Sequence, residues 1–148
     1  MSVRRRNTPS AVPRRDLAAL LAPLMRSLLA AEREVAERHG LTMWGYAALH
    51  GLADQPVRTQ TVLATSLGID KTRLIPILDD LQERDLIRRE PDPDDRRVHV
   101  LSLTPKGRRL FVAAQKDVHA REDQLLVGLD PKQQASLRAA LETWGAAR

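Results

Sequence analysis

The chain has 148 residues, with 24 lysines and arginines against 19 aspartates and glutamates, no cysteine and seven glycines. That length suits one domain with a real hydrophobic core, and the lack of cysteine excludes disulfides, thiol redox chemistry and thiolate metal sites. The net charge of +5 invites a nucleic-acid reading, yet residues 1–16 hold five arginines against one aspartate, so any DNA argument must rest on where charges sit.

Residues 1–15 combine two prolines, little apolar content and the run Arg4–Arg6, which predicts a disordered basic arm. Such an arm either reaches flanking duplex or is an inert tail. Its basic start leads into no apolar core with a cleavage site, and no run of about 18 apolar residues exists anywhere in the chain. The expectation is a cytoplasmic protein that does not associate with membranes.

Residues 16–148 read as a single, mainly α-helical unit. Asp16 is placed to cap a first helix in which Leu17, Leu20, Leu21, Leu24, Leu28 and Val35 recur at helical spacing, with Pro23 as a kink and Gly40 as the stop. Thr42 opens a second helix, MWGYAALHGL, apolar almost all round and therefore expected to be buried. The segment RTQTVLATSLGID gives a short third helix capped by Thr59 and closed by Gly68. Asp70 caps a fourth helix that runs to about Arg84. Two helices joined by a short glycine-containing turn are the helix-turn-helix signature. Pro76 lies inside the fourth helix, where it removes one backbone hydrogen bond and bends the helix.

IRRE, PDPDD and RRVHVLSL then read as strand, turn and strand, with period-two alternation from Val98 to Leu103. A hairpin directly after a helix-turn-helix is a wing. Thr104-Pro105 starts a long fifth helix lined by Leu110, Phe111, Ala114, Val118 and Leu125. Asp130-Pro131-Lys132-Gln133 opens a sixth with capping-box spacing, and Leu137, Leu141 and Trp144 form its apolar face.

Lys71, Thr72 and Arg73 occupy the first turn of the fourth helix, while Asp79, Asp80 and Glu83 lie one to two turns later. A helix that meets the major groove by its N-terminus brings the cations to double-stranded DNA and leaves the acids away from it. Arg73 is the first choice for base readout because its planar fork pairs with guanine O6 and N7. Thr72 reaches a thymine methyl or a phosphate, Lys71 a phosphate, and Pro76 offers an apolar touch to a thymine methyl. Thr59, Gln60 and Thr61 open the third helix, as caps or as phosphate contacts. Arg96, in the wing turn, is assigned to the phosphate backbone. A solvated, charge-neutralised turn and fully solvated helix faces are the competing readings.

The motifs LTMWGYAALHGL, TVLATSLGIDKTRLIPILDDLQERDLI and DPDDRRVHVLSLTPKG together resemble the MarR family of bacterial transcriptional regulators, over nearly all of Asp16 to Trp144. The resemblance implies a six-helix protomer with a β-hairpin wing, dimerisation helices at 16–40 and 105–147, and a winged helix-turn-helix lobe at 42–103. It further implies a homodimeric repressor on a pseudo-palindromic operator, released by an aromatic or phenolic effector bound between the dimer region and the lobe. By the same resemblance Arg97 enters the minor groove and Asp95 braces the wing through an ion pair. Trp44, His39 and His50 lie near the second helix, beside where family pockets form, and are the candidate effector contacts. Asp85 departs from the family, which commonly has glycine there, although aspartate tolerates the left-handed conformation.

Against an enzyme, the chain has no Gly-x-Ser-x-Gly, no phosphate-cradling glycine loop and no His-Glu-x-x-His. His39, His50, His99 and His119 show no metal-ligand spacing, so neither a metal nor a cofactor is expected. The alternative function is a winged-helix module for protein contact or nonspecific DNA binding, without an effector.

Overall fold

The computed structural model describes residues 13–147, so the Arg4–Arg6 run lies outside the described residues. In chain order the elements are α1 (Leu17–Arg38), α2 (Met43–Ala53), α3 (Gln60–Leu67), α4 (Lys71–Glu83), β1 (Ile87–Pro91), β2 (His99–Leu103), α5 (Pro105–Leu125) and α6 (Pro131–Ala146). The fold is mainly helical with one antiparallel hairpin, a winged helix-turn-helix.

The boundaries follow from local chemistry. The first free N–H groups of a helix need acceptors, and Thr42, Thr59, Asp70, Thr104 and Asp130 each supply a side-chain oxygen at their N-caps. The Asp130–Gln133 pair forms a reciprocal capping box. Asp16 stands at the N-cap of α1 but makes no side-chain cap bond. Gly68 ends α3 at a φ of +66°, a left-handed position that costs glycine nothing. Asp85 follows α4 in the same region at +57°, so aspartate does take over the conformation expected of a glycine there. Helix α4 runs through Pro76 without a break, keeping Leu74, Leu78 and Leu81 buried along one side.

One apolar core joins α1 through Val35 and Ala36, α2 through Tyr46, Leu49 and Leu52, α3 through Leu63, α4, the hairpin through Ile87 and Leu101, and α5 through Phe111, Ala114 and Val118. The hairpin pairs Ile87 with Leu103 and Pro91 with His99. Val57, in the loop before α3, exchanges both backbone hydrogen bonds with Leu101, at 2.9 and 2.7 Å, which covers the free edge of β2. Helix α6 buries no residue among those described; it hangs on α5 by Gln134, which donates to the carbonyls of Leu126 and Leu129, and by the Arg138–Glu122 ion pair.

A tight junction connects α4, the wing and α5. The buried Thr104 hydroxyl donates to the Asp85 carbonyl at 2.6 Å and accepts the Gly107 N–H at 2.9 Å, while the Thr104 N–H donates to the Leu86 carbonyl at 3.1 Å. Gly107 is required there: a β-carbon would fall on the Leu86 carbonyl. Backbone cannot yield as a flexible side chain does. Gly107→Ala is therefore expected to destabilise the protein by at least about 3 kcal/mol, measured by chemical denaturation. A loss under about 1 kcal/mol would show that this junction has slack.

Candidate nucleic-acid interface and ligand cavity

Three separate stretches line one concave surface of about 630 Å³: Thr59, Gln60 and Thr61 at the start of α3, Lys71 and Gln82 on α4, and Arg89, Arg97, Val98 and His99 on the wing. Thr59 uses its hydroxyl to cap α3, accepting the Val62 N–H at 3.0 Å. Gln60 and Thr61 occupy the first helical turn, whose free N–H groups and dipole favour an anion. Lys71 and Arg97 add formal positive charge from two other sides.

Thr72, Arg73 and Pro76 do not line this groove but are exposed on α4. Thr72 and Pro76, four residues apart, share one stripe of the helix. Pro76 also borders a recess of about 200 Å³ beside Leu41, Thr42 and Arg84. Arg73 makes no side-chain hydrogen bond or ion pair with the described residues. Asp70 caps α4 by accepting the Thr72 N–H at 2.7 Å; that bond, with a lesser contribution from Arg73, holds its carboxyl below the usual carboxylate range.

Two of the three acids of α4, Asp79 and Asp80, are neutralised by neighbours, while Glu83 stays exposed without an ion-pair partner among the described residues. Asp79 lies 2.8 Å from Arg89 of β1, and Asp80 lies 3.3 Å from Arg84. The Arg89 contact is close but poorly directed, since its Nη2 completes no hydrogen bond of good geometry. At the wing, Asp95 accepts from the Arg97 N–H at 3.1 Å and pairs with its Nε at 3.2 Å, both inside the turn. Asp95 thus makes an ion pair within the wing turn and none to the rest of the lobe among the described residues. The tie to the body belongs to Asp92, nearly buried, which pairs with Arg58 at 2.8 Å and accepts the Asp94 N–H at 2.8 Å. The Asp94 N–H first, and Arg58 after it, keep the Asp92 carboxyl below its ordinary range. Arg96 and Arg97 are both exposed.

A second cavity of about 220 Å³ opens between α1, α2 and α5, with Glu32, Tyr46, His50, Gln115, His119 and Glu122 supplying its polar groups. Of the three candidate effector contacts, only His50 lines it. His39 instead caps the end of α1, its Nε2 2.7 Å from Asp117 of α5, which pulls the Asp117 carboxyl below its usual range. Trp44 is half-buried and lies outside the cavity lining. The aromatic wall is Tyr46, stacked on Phe111 at 5.8 Å, with His50 edge-on to Phe111 at 5.6 Å. Tyr46 and His50 are four apart in sequence, so the signal was present. An all-round apolar α2 gives no periodicity with which to choose Tyr46 over Trp44.

Comparisons with known proteins agree with this architecture. A sequence profile described as MarR family matches residues 39–98. A protein of Thauera aromatica assigned as a transcriptional regulator for the hcr operon is 31% identical over 105 residues, which are 68% of this chain and 63% of that protein, so the match spans only part of the relative's length. Among solved structures, the transcriptional repressor CouR bound to a 23-mer DNA duplex is 34% identical, with 90% of this chain and 93% of that one covered at a TM-score of 0.74. CouR from Rhodococcus jostii RHA1 bound to p-coumaroyl-CoA is 28% identical, with 86% and 90% covered at a TM-score of 0.73. The profile spans α2, α3, α4 and β1, the two structural matches extend over 86–90% of the chain, and the chain belongs to the MarR family.

Proposed function

We propose that this protein is a homodimeric transcriptional repressor that binds a pseudo-palindromic operator and is released from it by a small aromatic or phenolic ligand. The observation that carries DNA binding is the groove that joins the α3 N-terminus, Lys71 and Arg97 on one side of the lobe. In this reading Thr59, Gln60, Thr61, Lys71 and Arg96 hold phosphates, Thr72, Arg73 and Pro76 meet the major groove, and Arg97 enters the minor groove. The DNA-bound CouR structure supports it. The Arg97–Asp95 pair opposes it only weakly, because an exposed ion pair contributes at most about 1 kcal/mol and a groove contact about 1–3 kcal/mol.

Dimerisation is supported by the apolar surface that one protomer leaves open. Leu17 is 65% exposed, Val127 82% and Leu141 52%, and Leu20, Met25 and Leu29 of α1 are open too. Apolar surface of that extent marks a contact face. Release by a ligand is supported by the cavity between α1, α2 and α5 and by the p-coumaroyl-CoA complex of CouR.

Four measurements test these assignments. Arg97→Ala should weaken binding to DNA from the gene's own upstream region by about tenfold or more; wild-type affinity would remove Arg97 from the interface. Arg73→Ala should relax sequence preference at one position of each half-site in a DNA-selection experiment. A uniform fall in affinity with a shallower salt slope would make Arg73 a phosphate contact. Light scattering after gel filtration should give twice the 16.6 kDa chain mass, and Leu17→Glu with Leu141→Glu should yield a folded monomer. Equal affinity of the wild-type protein for operator and scrambled duplex would favour the alternative, a nonspecific or protein-binding module.

A further inference from the structure

The α1–α2–α5 cavity carries more chemistry than a generic aromatic pocket. Glu32 of α1 is half-buried in it and has no hydrogen-bond or ion-pair partner among the described residues. Glu122 of α5 also lines it, but Arg138 of α6 answers that charge at 3.3 Å. The remaining polar groups are the Tyr46 hydroxyl, the Gln115 amide and the imidazoles of His50 and His119. These groups do not converge as a metal site: no cluster of three or more histidine and carboxylate ligands with that geometry occurs among the described residues.

A carboxylate held in partly apolar surroundings without a partner is unfavourable and is relieved by a cation. Its surroundings agree in sign. Burial above all raises the Glu32 carboxyl above its usual range; His50 opposes this and Glu122 adds to it. Tyr46 is pushed up to about 12, first by burial, which disfavours charge of either sign, and then by Glu32 and Glu122, which make further negative charge the less favourable sign. A ligand bearing a carboxylate or phosphate would bring a like charge to this site. An ammonium would pair with Glu32 and lie against the Tyr46 ring, which favours cations on its face. Size narrows the choice further. At about 220 Å³ the cavity is smaller than the roughly 300–1,000 Å³ of sites for drug-sized molecules and matches a single ring with a short side chain.

We infer that this cavity takes a protonated single-ring aromatic amine, with Glu32 receiving the ammonium and Tyr46 and His50 flanking the ring. The inference rests on reading the cavity as the effector site and adds the ligand's charge.

Titration calorimetry on the full chain with two phenols of similar shape and opposite charge, tyramine and 4-hydroxyphenylacetate, tests it. Tyramine should bind at least tenfold more tightly than the acid, and Glu32→Gln should remove most of that difference. Glu122→Gln should have the smaller effect, because Arg138 already answers Glu122. Comparable or tighter binding of the acid to the wild-type chain would overturn the charge assignment while leaving the cavity a ligand site. Tyramine binding indifferent to Glu32→Gln would also overturn it. Binding of neither phenol would overturn the effector site itself, and the inference with it. The wild-type comparison stands whether or not either variant folds.

Discussion

The Thr104 hydroxyl holds together parts of the molecule that the sequence separates. By donating to the Asp85 carbonyl and accepting from the Gly107 N–H, it fastens the end of α4 to the start of α5, with the wing strands on either side. The Lys106 ammonium reinforces the joint by donating to the Arg84 carbonyl at 2.8 Å. A buried hydroxyl with both roles satisfied is directional in a way that apolar packing is not. The consequence is geometric: the helix that carries Gln115, His119 and Glu122 into the ligand cavity is fixed at its N-terminus to the C-terminal turn of the helix that carries Lys71, Thr72 and Arg73. Cavity and groove therefore share one rigid connection, and Asp85 must hold its left-handed turn for the connection to close.

Much of this arrangement is legible in the sequence because its determinants are local. Thr42, Thr59, Asp70, Thr104 and Asp130 announce helix starts through a contact two or three residues away, and Asp85 declares a left-handed turn by its type and place. The pairings that join distant segments are a different matter. Arg58 and Asp92 are 34 residues apart, and His39 and Asp117 are 78 apart. Nothing in a period of 2 or 3.6 says which of Asp92, Asp94 and Asp95 faces inward, because all three lie in a turn without periodicity. Asp95 pairs with Arg97 inside the turn, whereas Asp92 is the buried one and carries the tie to Arg58. Trp44 and His39 lie outside the cavity lining for a related reason: being near a helix in sequence does not specify which side chains border a space shared by three helices.

Charge follows the same logic. The positive balance belongs largely to the first sixteen residues, so the remainder must produce a cationic groove from nearly equal numbers of acids and bases. It does so by pairing. Asp79 is taken up by Arg89, Asp80 by Arg84 and Asp92 by Arg58, while Lys71, Arg73 and Arg96 keep no acidic partner within ion-pair distance among the described residues. Asp79 and Asp80 of α4 are thus not merely turned away from the groove; they are neutralised from within the lobe. Arg97 stands between the two groups, held by Asp95 in an exposed pair that solvent and salt screen and that costs little to exchange.

Pro76 shows how the competing terms balance within α4. A proline in a helix interior costs about 3 kcal/mol through the lost bond and the clash with the preceding turn. Leu74, Leu78 and Leu81, each at most 1% exposed, straddle it on the core side and contribute about 1.5–3 kcal/mol apiece on burial. Packing therefore exceeds the proline's cost, and the helix continues. On the exposed side the effect is chemical rather than energetic. Pro76 has neither an N–H nor a polar side chain, so the stripe it shares with Thr72 carries hydrogen-bonding groups at its N-terminal end and an apolar ring one turn later. In the proposed DNA-binding role, polar readout by α4 is thereby concentrated in its first turn, and the next turn is left to recognise shape and methyl groups.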